Sequence, residues 1–533
     1  MAIFERIAET ADGHRRLALT SPVTLEPIGE LLCASEADVQ AAVAKARKAQ
    51  PAWAAKSIEE RVQHLLKLRE VILAHQELVV ETVIKETGKP MQDALTFEVY
   101  AVCDFISYWC KQARKTLKDE VVRAPGLLGL MKKIHMIYKP LGVIGVITPW
   151  NGPFVLTANP GVQAILAGNT VVIKGSEVTP YSAKLFEELS LKAGIPDGVV
   201  QVLMGDGQTG ADLTRADINK ISFTGSVATG KKIAMVCAER LIPVTLELGG
   251  KDAMIVCADA DLDKAVHGAV WGGCVNTGHF CCGIERIYVE APIYDEFVRR
   301  ATEMAKAIRQ GQKHGVNEDL GAVFWDRQLT IMEAHVEDAR KRGAKILAGG
   351  RRNPELKGLY YEATVMVDVQ EDFDVMTQET FGPILPIVKF NTIDEAVAKA
   401  NNSVYGLHGS VWTKDEKKGL EIAKRIDTGS MAVNDIGMMY GVANAPFGGV
   451  KESGVGSVNG AYGLRGYSHV MPIVIGRYGG ADTGYPHDQK KFDQMKTIMN
   501  FMWKNPIGRF LFGGRFFDTS CFSQPGIVSC LQR

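Results

Sequence analysis

Between residues 143 and 248 the chain carries five short, almost wholly apolar runs: Val143–Thr148, Thr170–Lys174, Val199–Leu203, Ile218–Phe223 and Pro243–Leu248. Runs without polar alternation fit strands buried on both faces, which a parallel sheet covered by helices provides. The punctuation between them is helical. Pro140 and Pro149 bound the first run, Gly168-Asn169 stops a helix running through Leu166, and Thr179-Pro180 opens the next one. Strand, helix, strand at this spacing predicts an α/β fold with a parallel sheet and right-handed crossovers. Ligands in such sheets sit at the carboxyl ends of the strands. Those ends are Thr148–Asn151, Lys174–Glu177, Phe223–Ser226 and Glu247–Gly250.

A helical region over Ala37–Val99 precedes this core. Its stripe includes Val62, Leu65, Leu66, Ile72 and Leu73 at i, i+3, i+4 spacing. An irregular segment, 121–138, carries Pro125, Gly126 and Gly129. A second αβ series, from Leu262 to about Phe447, includes strands near Ile284–Val289 and Ile384–Phe390. After Gly479-Gly480 the chain turns aromatic and basic, as in Phe501–Pro506, Arg509–Phe512 and Arg515–Phe517. Pro506 and three glycines argue there against a long amphipathic helix.

At 533 residues, with 46% hydrophobic and 23% charged, the chain has the profile of a globular protein of two to four domains. Lys+Arg and Asp+Glu are 61 each, so no bulk charge would hold it on nucleic acid. The start, MAIFERIAET, lacks the basic and apolar regions of a secretory signal, and no apolar run approaches a membrane span. Ten cysteines without CxxC spacing indicate neither a disulfide framework nor a metal site. The expectation is a cytoplasmic protein.

Several residues at the strand ends could carry chemistry. Asn276–Cys282 puts a thiol three residues after Gly278: either a nucleophile or part of a structurally buried Cys281-Cys282 pair. Glu247 ends an apolar strand, where burial would raise its pKa and suit it to act as a base; alternatively it turns out toward Lys251. Gly225–Gly230 follows a strand and opens a helix whose N–H groups suit a phosphate, although a plain αβ turn would look the same. Lys174 and Glu177 could hold ribose hydroxyls or form an exposed ion pair. Asn151 beside Trp150 could offer an amide to an oxyanion or cap a helix.

Together these segments resemble the aldehyde dehydrogenase superfamily over about residues 25–476. The resemblance rests on PWNGPF (149–154), VVIKGSE (171–177), SFTGSVATG (222–230), LELGGK (246–251), NTGHFCCGIER (276–286), QETFGPILP (378–386) and APFGGVKESGVG (445–456). It implies a Rossmann-type cofactor domain (1–120 and 139–246), an α/β catalytic domain (247–446), an oligomerisation element (121–138 and 465–478) and a C-terminal extension (479–533).

By the same resemblance Cys281 is the nucleophile, Glu247 the base that activates water, and Asn151 with the Cys281 N–H the oxyanion hole. Lys174 and Glu177 hold the adenosine ribose, Ser226 the pyrophosphate and Glu379 the second ribose. Trp150 and Gly225 line the groove, and Phe381 packs near the nicotinamide. Glu177 favours NAD over NADP, since a carboxylate repels a 2′-phosphate. No metal is implied. The expected reaction is oxidation of an apolar aldehyde to its acid by a dimer or tetramer. The alternatives are a semialdehyde such as succinic semialdehyde, or a cysteine esterase or acyltransferase without redox.

Three departures stand out: His279 where the family usually has Gln, Phe280 just before the nucleophile, and Ser457-Val458 where it usually has Arg-Glu. His279 could lower the Cys281 pKa if cationic, or be structural. Phe280 should narrow the substrate tunnel, and the tail could touch a membrane surface, cover the substrate mouth or pack on a neighbouring subunit.

Overall fold

The structure is a computed structural model describing residues 6–9, 14–124, 128–313, 315–436, 439–477 and 485–512. Pro125-Gly126 and Arg515–Phe517 lie outside the described residues.

The five apolar runs form parallel strands Val143–Ile147, Thr170–Lys174, Val200–Leu203, Lys220–Thr224 and Val244–Glu247. Every residue of the first two is buried, as sheet strands covered on both faces require. Across the sheet the order is Gly454–Val455, Val244–Glu247, Lys220–Thr224, Val143–Ile147, Thr170–Lys174, Val200–Leu203. Gly454–Val455 is antiparallel and returns from far along the chain to edge the sheet beside Val244–Glu247. The helical N-terminal region divides at Ser35 and Ser57, whose hydroxyls form capping boxes with Asp38 and Glu60.

A second sheet has seven strands, ordered Lys345–Ala348, Thr364–Val367, Ile384–Phe390, Ile284–Glu290, Asp252–Val256, Gly409–Trp412 and Ala432–Val433. All but the first run parallel. Only Leu248-Gly249-Gly250-Lys251 separates Val244–Glu247 of one sheet from Asp252–Val256 of the other. Glu247 therefore stands at the seam between two cores.

Of the described residues, 118–124, 128–139, 469–477 and 485–512 belong to a separate compact unit. The segment read as irregular contains the strands Glu120–Val122 and Lys132–Pro140, which join Ser468–Gly476 in a three-stranded sheet. The tail differs from expectation more sharply: Gln489–Lys504 is an amphipathic helix of 16 residues. Asp488 caps it by accepting from the Lys491 N–H at 2.7 Å. Pro506 ends nothing, because it falls beyond Lys504 and opens a short second helix, Pro506–Phe512. No helix among the described residues is long and apolar enough to cross a membrane.

Candidate active site

Glu247 is buried, and neither carboxylate oxygen has a hydrogen-bond partner. Burial, and then the neighbouring Cys281, push its pKa well above the carboxylate range; the Val458 amide, whose N–H is committed to the Phe447 carbonyl at 2.7 Å, opposes them as the smallest influence. Lys251 does not neutralise it. The Lys251 ammonium turns away to Glu285 at 2.5 Å and the Thr380 hydroxyl at 3.0 Å.

Cys281 follows an unusual turn. After helix Leu262–Cys274, Asn276, Thr277 and Gly278 take φ of 54, 59 and 73°. The Asn276 side-chain amide holds this left-handed path by donating to the carbonyls of Asn151 (2.9 Å) and His279 (2.8 Å). Its backbone N–H donates to Asp93 at 3.0 Å. Gly278 is required twice over: its φ is positive, and a Cβ there would collide with the Gly382-Pro383 backbone.

The turn leaves Cys281 partly exposed and Cys282 buried. The Cys282 thiol bonds toward Cys281 and is desolvated, so its pKa rises well above that of a free thiol and it stays protonated. The Phe280 ring meets Phe97 at 5.8 Å between centroids. Val458 packs in the apolar cluster with Cys282, Leu407 and Phe447, and its N–H donates to the Phe447 carbonyl at 2.7 Å.

Asn151 is buried and is not a helix cap. The first N–H groups of the helix entry, Phe154 and Val155, donate to Glu98 at 3.0 and 2.9 Å. The Asn151 amide donates one hydrogen to the His279 carbonyl at 3.1 Å, and a side-chain amide carries two. Its own carbonyl accepts from Lys89 at 3.2 Å, and Lys89 pairs with buried Glu98.

His279 resolves as a neutral, structural residue. Its Nε2 accepts the Phe324 N–H at 3.3 Å, so Nδ1 carries the proton donated to the Phe381 carbonyl at 2.8 Å. Burial drives its pKa down to about 3, so no imidazolium forms to depress the Cys281 thiol. Its ring stacks on Phe381 at 5.6 Å, and Trp150 stands edge-on to His279 (4.9 Å) and Phe381 (5.4 Å).

Phe381 itself has φ 50°. Glu285 holds that strained loop by accepting the Thr380 and Phe381 N–H groups, both at 2.8 Å, while Lys251 neutralises it. Neighbouring Glu379 accepts the Gly250 N–H at 3.0 Å; burial, then Glu285, raise its pKa to about 8. Glu285 and Lys251 were not among the expected site residues. Their signal was a charged residue inside each of two motif-bearing, apolar stretches.

Lys174 pairs with Glu177 at 3.1 Å; the lysine is buried and the carboxylate 29% exposed. Ser226 caps helix Val227–Glu239 through the Thr229 N–H at 3.4 Å. Gly225 donates its N–H to the Glu247 backbone carbonyl at 3.0 Å, joining this turn to the strand of Glu247.

Tyr440 is a further residue that the sequence reading missed. Its hydroxyl accepts from Asn159 at 3.1 Å, and its ring meets Phe105 and Phe447 edge-on. The charges of both Glu247 and Cys281 bear on it. Its only sequence signal is an aromatic residue shortly before PFGG. Among the described residues no cluster of three or more His, Cys, Asp or Glu could hold a metal.

The chain is 37% identical over 457 residues (86% of this chain, 87% of the relative) to a putative NADP(+) succinate-semialdehyde dehydrogenase 2 of Mycobacterium ulcerans. It is 35% identical over 490 residues, 91% of each chain, to a 4,4′-diapolycopene aldehyde oxidase of Methylomonas. Among solved structures, a Mycobacterium tuberculosis aldehyde dehydrogenase complexed with NAD+ superposes with a TM-score of 0.83. It is 33% identical, with 87% of this chain and 96% of that one covered. The aldehyde dehydrogenase family model matches residues 9–473. With sheets, motif order and relatives in agreement over nearly its whole length, the chain belongs to the aldehyde dehydrogenase family of oxidoreductases.

Proposed function

We propose that the protein oxidises an apolar aldehyde to its carboxylic acid through a thioester on Cys281, with Glu247 activating the hydrolytic water and NAD as cofactor. The observation that carries this reading is the Glu247 carboxylate: buried, unpartnered and close enough to Cys281 for the charge of one to alter the proton affinity of the other. A structural carboxylate in that position would be bonded.

The residues at the strand ends fit a dinucleotide. The Lys174–Glu177 pair offers a cation and a partly exposed carboxylate for the adenosine ribose, and Ser226 heads a helix whose first N–H groups suit a pyrophosphate. Glu379 holds the second ribose, while Trp150, Gly225 and Phe381 line the groove. A bound nicotinamide supplies the hydride acceptor. Glu177 disfavours a 2′-phosphate. Residues 1–120 and 139–246 form the cofactor domain and 247–446 the catalytic domain.

The Cys281 thiolate adds to the aldehyde carbon, and the resulting alkoxide sits between the second Asn151 amide hydrogen and the Cys281 N–H. Two preorganised donors matter, since losing one typically costs about 10²–10³ in rate. Once the carbon has lost its hydride, the thioester awaits water. In its ionised form Glu247 takes a proton from that water, and hydroxide releases the acid and restores the thiolate.

Phe280, Phe97, Tyr440 and Phe447 make the surroundings of Cys281 aromatic, which favours an apolar substrate. The name of the M. ulcerans relative favours a semialdehyde instead. That reading needs a cation for the far carboxylate, and Arg286 is spent on the carbonyls of Lys251, Lys399 and Ala400. Assembly as a dimer or tetramer runs through the sheet of 121–138 and 465–478, where Val470, Val474 and Ile475 are exposed.

The test is NADH formation across aldehydes that vary in chain length, ring content and terminal charge, with NAD or NADP. Apolar aldehydes should lead, and Cys281→Ser should lose at least about 10³-fold in kcat while still binding NAD. Ester turnover without NAD reduction, or a marked preference for the charged semialdehyde, would overturn the assignment.

A further inference from the structure

Helix Gln489–Lys504 buries none of its residues. Phe492, Met495, Ile498, Met499 and Trp503 follow one another at helical spacing as a single stripe, with Phe492 65% and Trp503 56% exposed. Ile507 and Phe510 of the next helix are exposed as well. Lys496 borders the stripe on the Trp503 side, Lys491 stands between Ile498 and Met495 near its other edge, and Lys490 and Lys504 occupy the opposite face. Between Asp488 and Phe512 there are five basic residues against two acidic ones, in a chain whose formal net charge is zero. The protein thus gathers a cationic excess on an exposed apolar element.

A helix of this length is marginal in water unless its apolar side is covered. We propose that Gln489–Lys504, with Ile507 and Phe510, lies flat in the headgroup layer of an anionic bilayer, its aromatic stripe inserted and its lysines on lipid phosphates. Two observations choose this partner. Lysines edging an apolar stripe can extend their ammonium groups sideways to headgroups while their stems stay in the apolar layer. Pairing with a second copy through a two-fold axis would instead set one lysine-edged stripe against another. The attachment is interfacial, since the helix is too short and too polar to span. Resting on the reading of the Cys281 site as one for apolar aldehydes, it places the enzyme at the phase in which such aldehydes dissolve.

The experiment is flotation of the full chain with vesicles of phosphatidylcholine alone or mixed equally with phosphatidylglycerol. The protein should float with the anionic vesicles, less so at high salt, and remain behind with the neutral ones. Phe492→Glu with Trp503→Glu should abolish flotation. Lys491→Gln with Lys496→Gln should weaken it about 30-fold, at about 1 kcal/mol per charge. Oxidation of a short, water-soluble aldehyde should be unchanged in all of them. No flotation of the parent chain, or equal flotation of the glutamate variant, overturns the proposal. So does a loss of oligomer mass in that variant with vesicle binding absent throughout, which would make the stripe a contact between copies. Failure to reduce NAD with any aldehyde would sink the catalytic reading and leave the flotation result standing.

Discussion

At Glu247 the local environment opposes stability. A carboxyl group whose folded pKa is raised keeps its proton in the folded state at pH values where the unfolded chain has lost it. Its contribution to stability is therefore complete below about pH 4.5 and falls away as pH rises, by about 1.4 kcal/mol per unit until the raised value is passed. Glu247→Gln removes that loss. Its apparent unfolding midpoint should exceed that of the parent by a margin that widens from pH 5 upward, measured at one scan rate, while turnover falls. A margin independent of pH would mean that the carboxylate is not desolvated. Tyr440→Phe leaves the Asn159 amide one acceptor short, and should cost about 1 kcal/mol of stability, read as a lower unfolding midpoint, without changing NAD affinity. An unchanged midpoint would remove that bond from the account. Glu247 was legible because a carboxylate in an apolar strand is conspicuous. His279 was readable as cationic or structural until its two ring nitrogens were seen committed to backbone groups.

Among the elements, the parallel strands were readable from continuous apolar runs, whereas the two-residue strand Gly454–Val455 carries no periodicity that could announce its pairing with Val244–Glu247. The tail helix escapes the sequence for another reason: Pro506 reads as an interior breaker, although it falls two residues beyond the end of Gln489–Lys504. The turn before Cys281 was visible as a glycine, but its cause, a left-handed path braced by the Asn276 amide, needed coordinates. Gly278→Ala would force a methyl group into the Gly382 backbone. Kinetics should show kcat falling by at least about 10²-fold, since small displacements of a reacting group cost that much, while a folded protein still binds NAD. Wild-type kcat would show that the turn tolerates a side chain.

For the whole molecule, the two sheets meet through only four residues, and that brevity places a carboxylate from the end of one core beside a thiol carried by the other. Strands of both sheets were legible as apolar runs in the chain. The contacts of Glu285 and Lys251 with the Glu379–Phe381 loop were not, because they join segments 95 and 129 residues apart. The central claim is that Cys281 and Glu247 serve successive halves of one reaction. Intact-mass and peptide spectra of Glu247→Gln, taken seconds after mixing with NAD and a medium-chain aldehyde, test it most directly. The account predicts a stoichiometric acyl adduct on the Cys281 peptide, one equivalent of NADH in a burst, and steady turnover slowed by about 10²–10³-fold. Turnover at the parent rate with an unmodified Cys281 would contradict it.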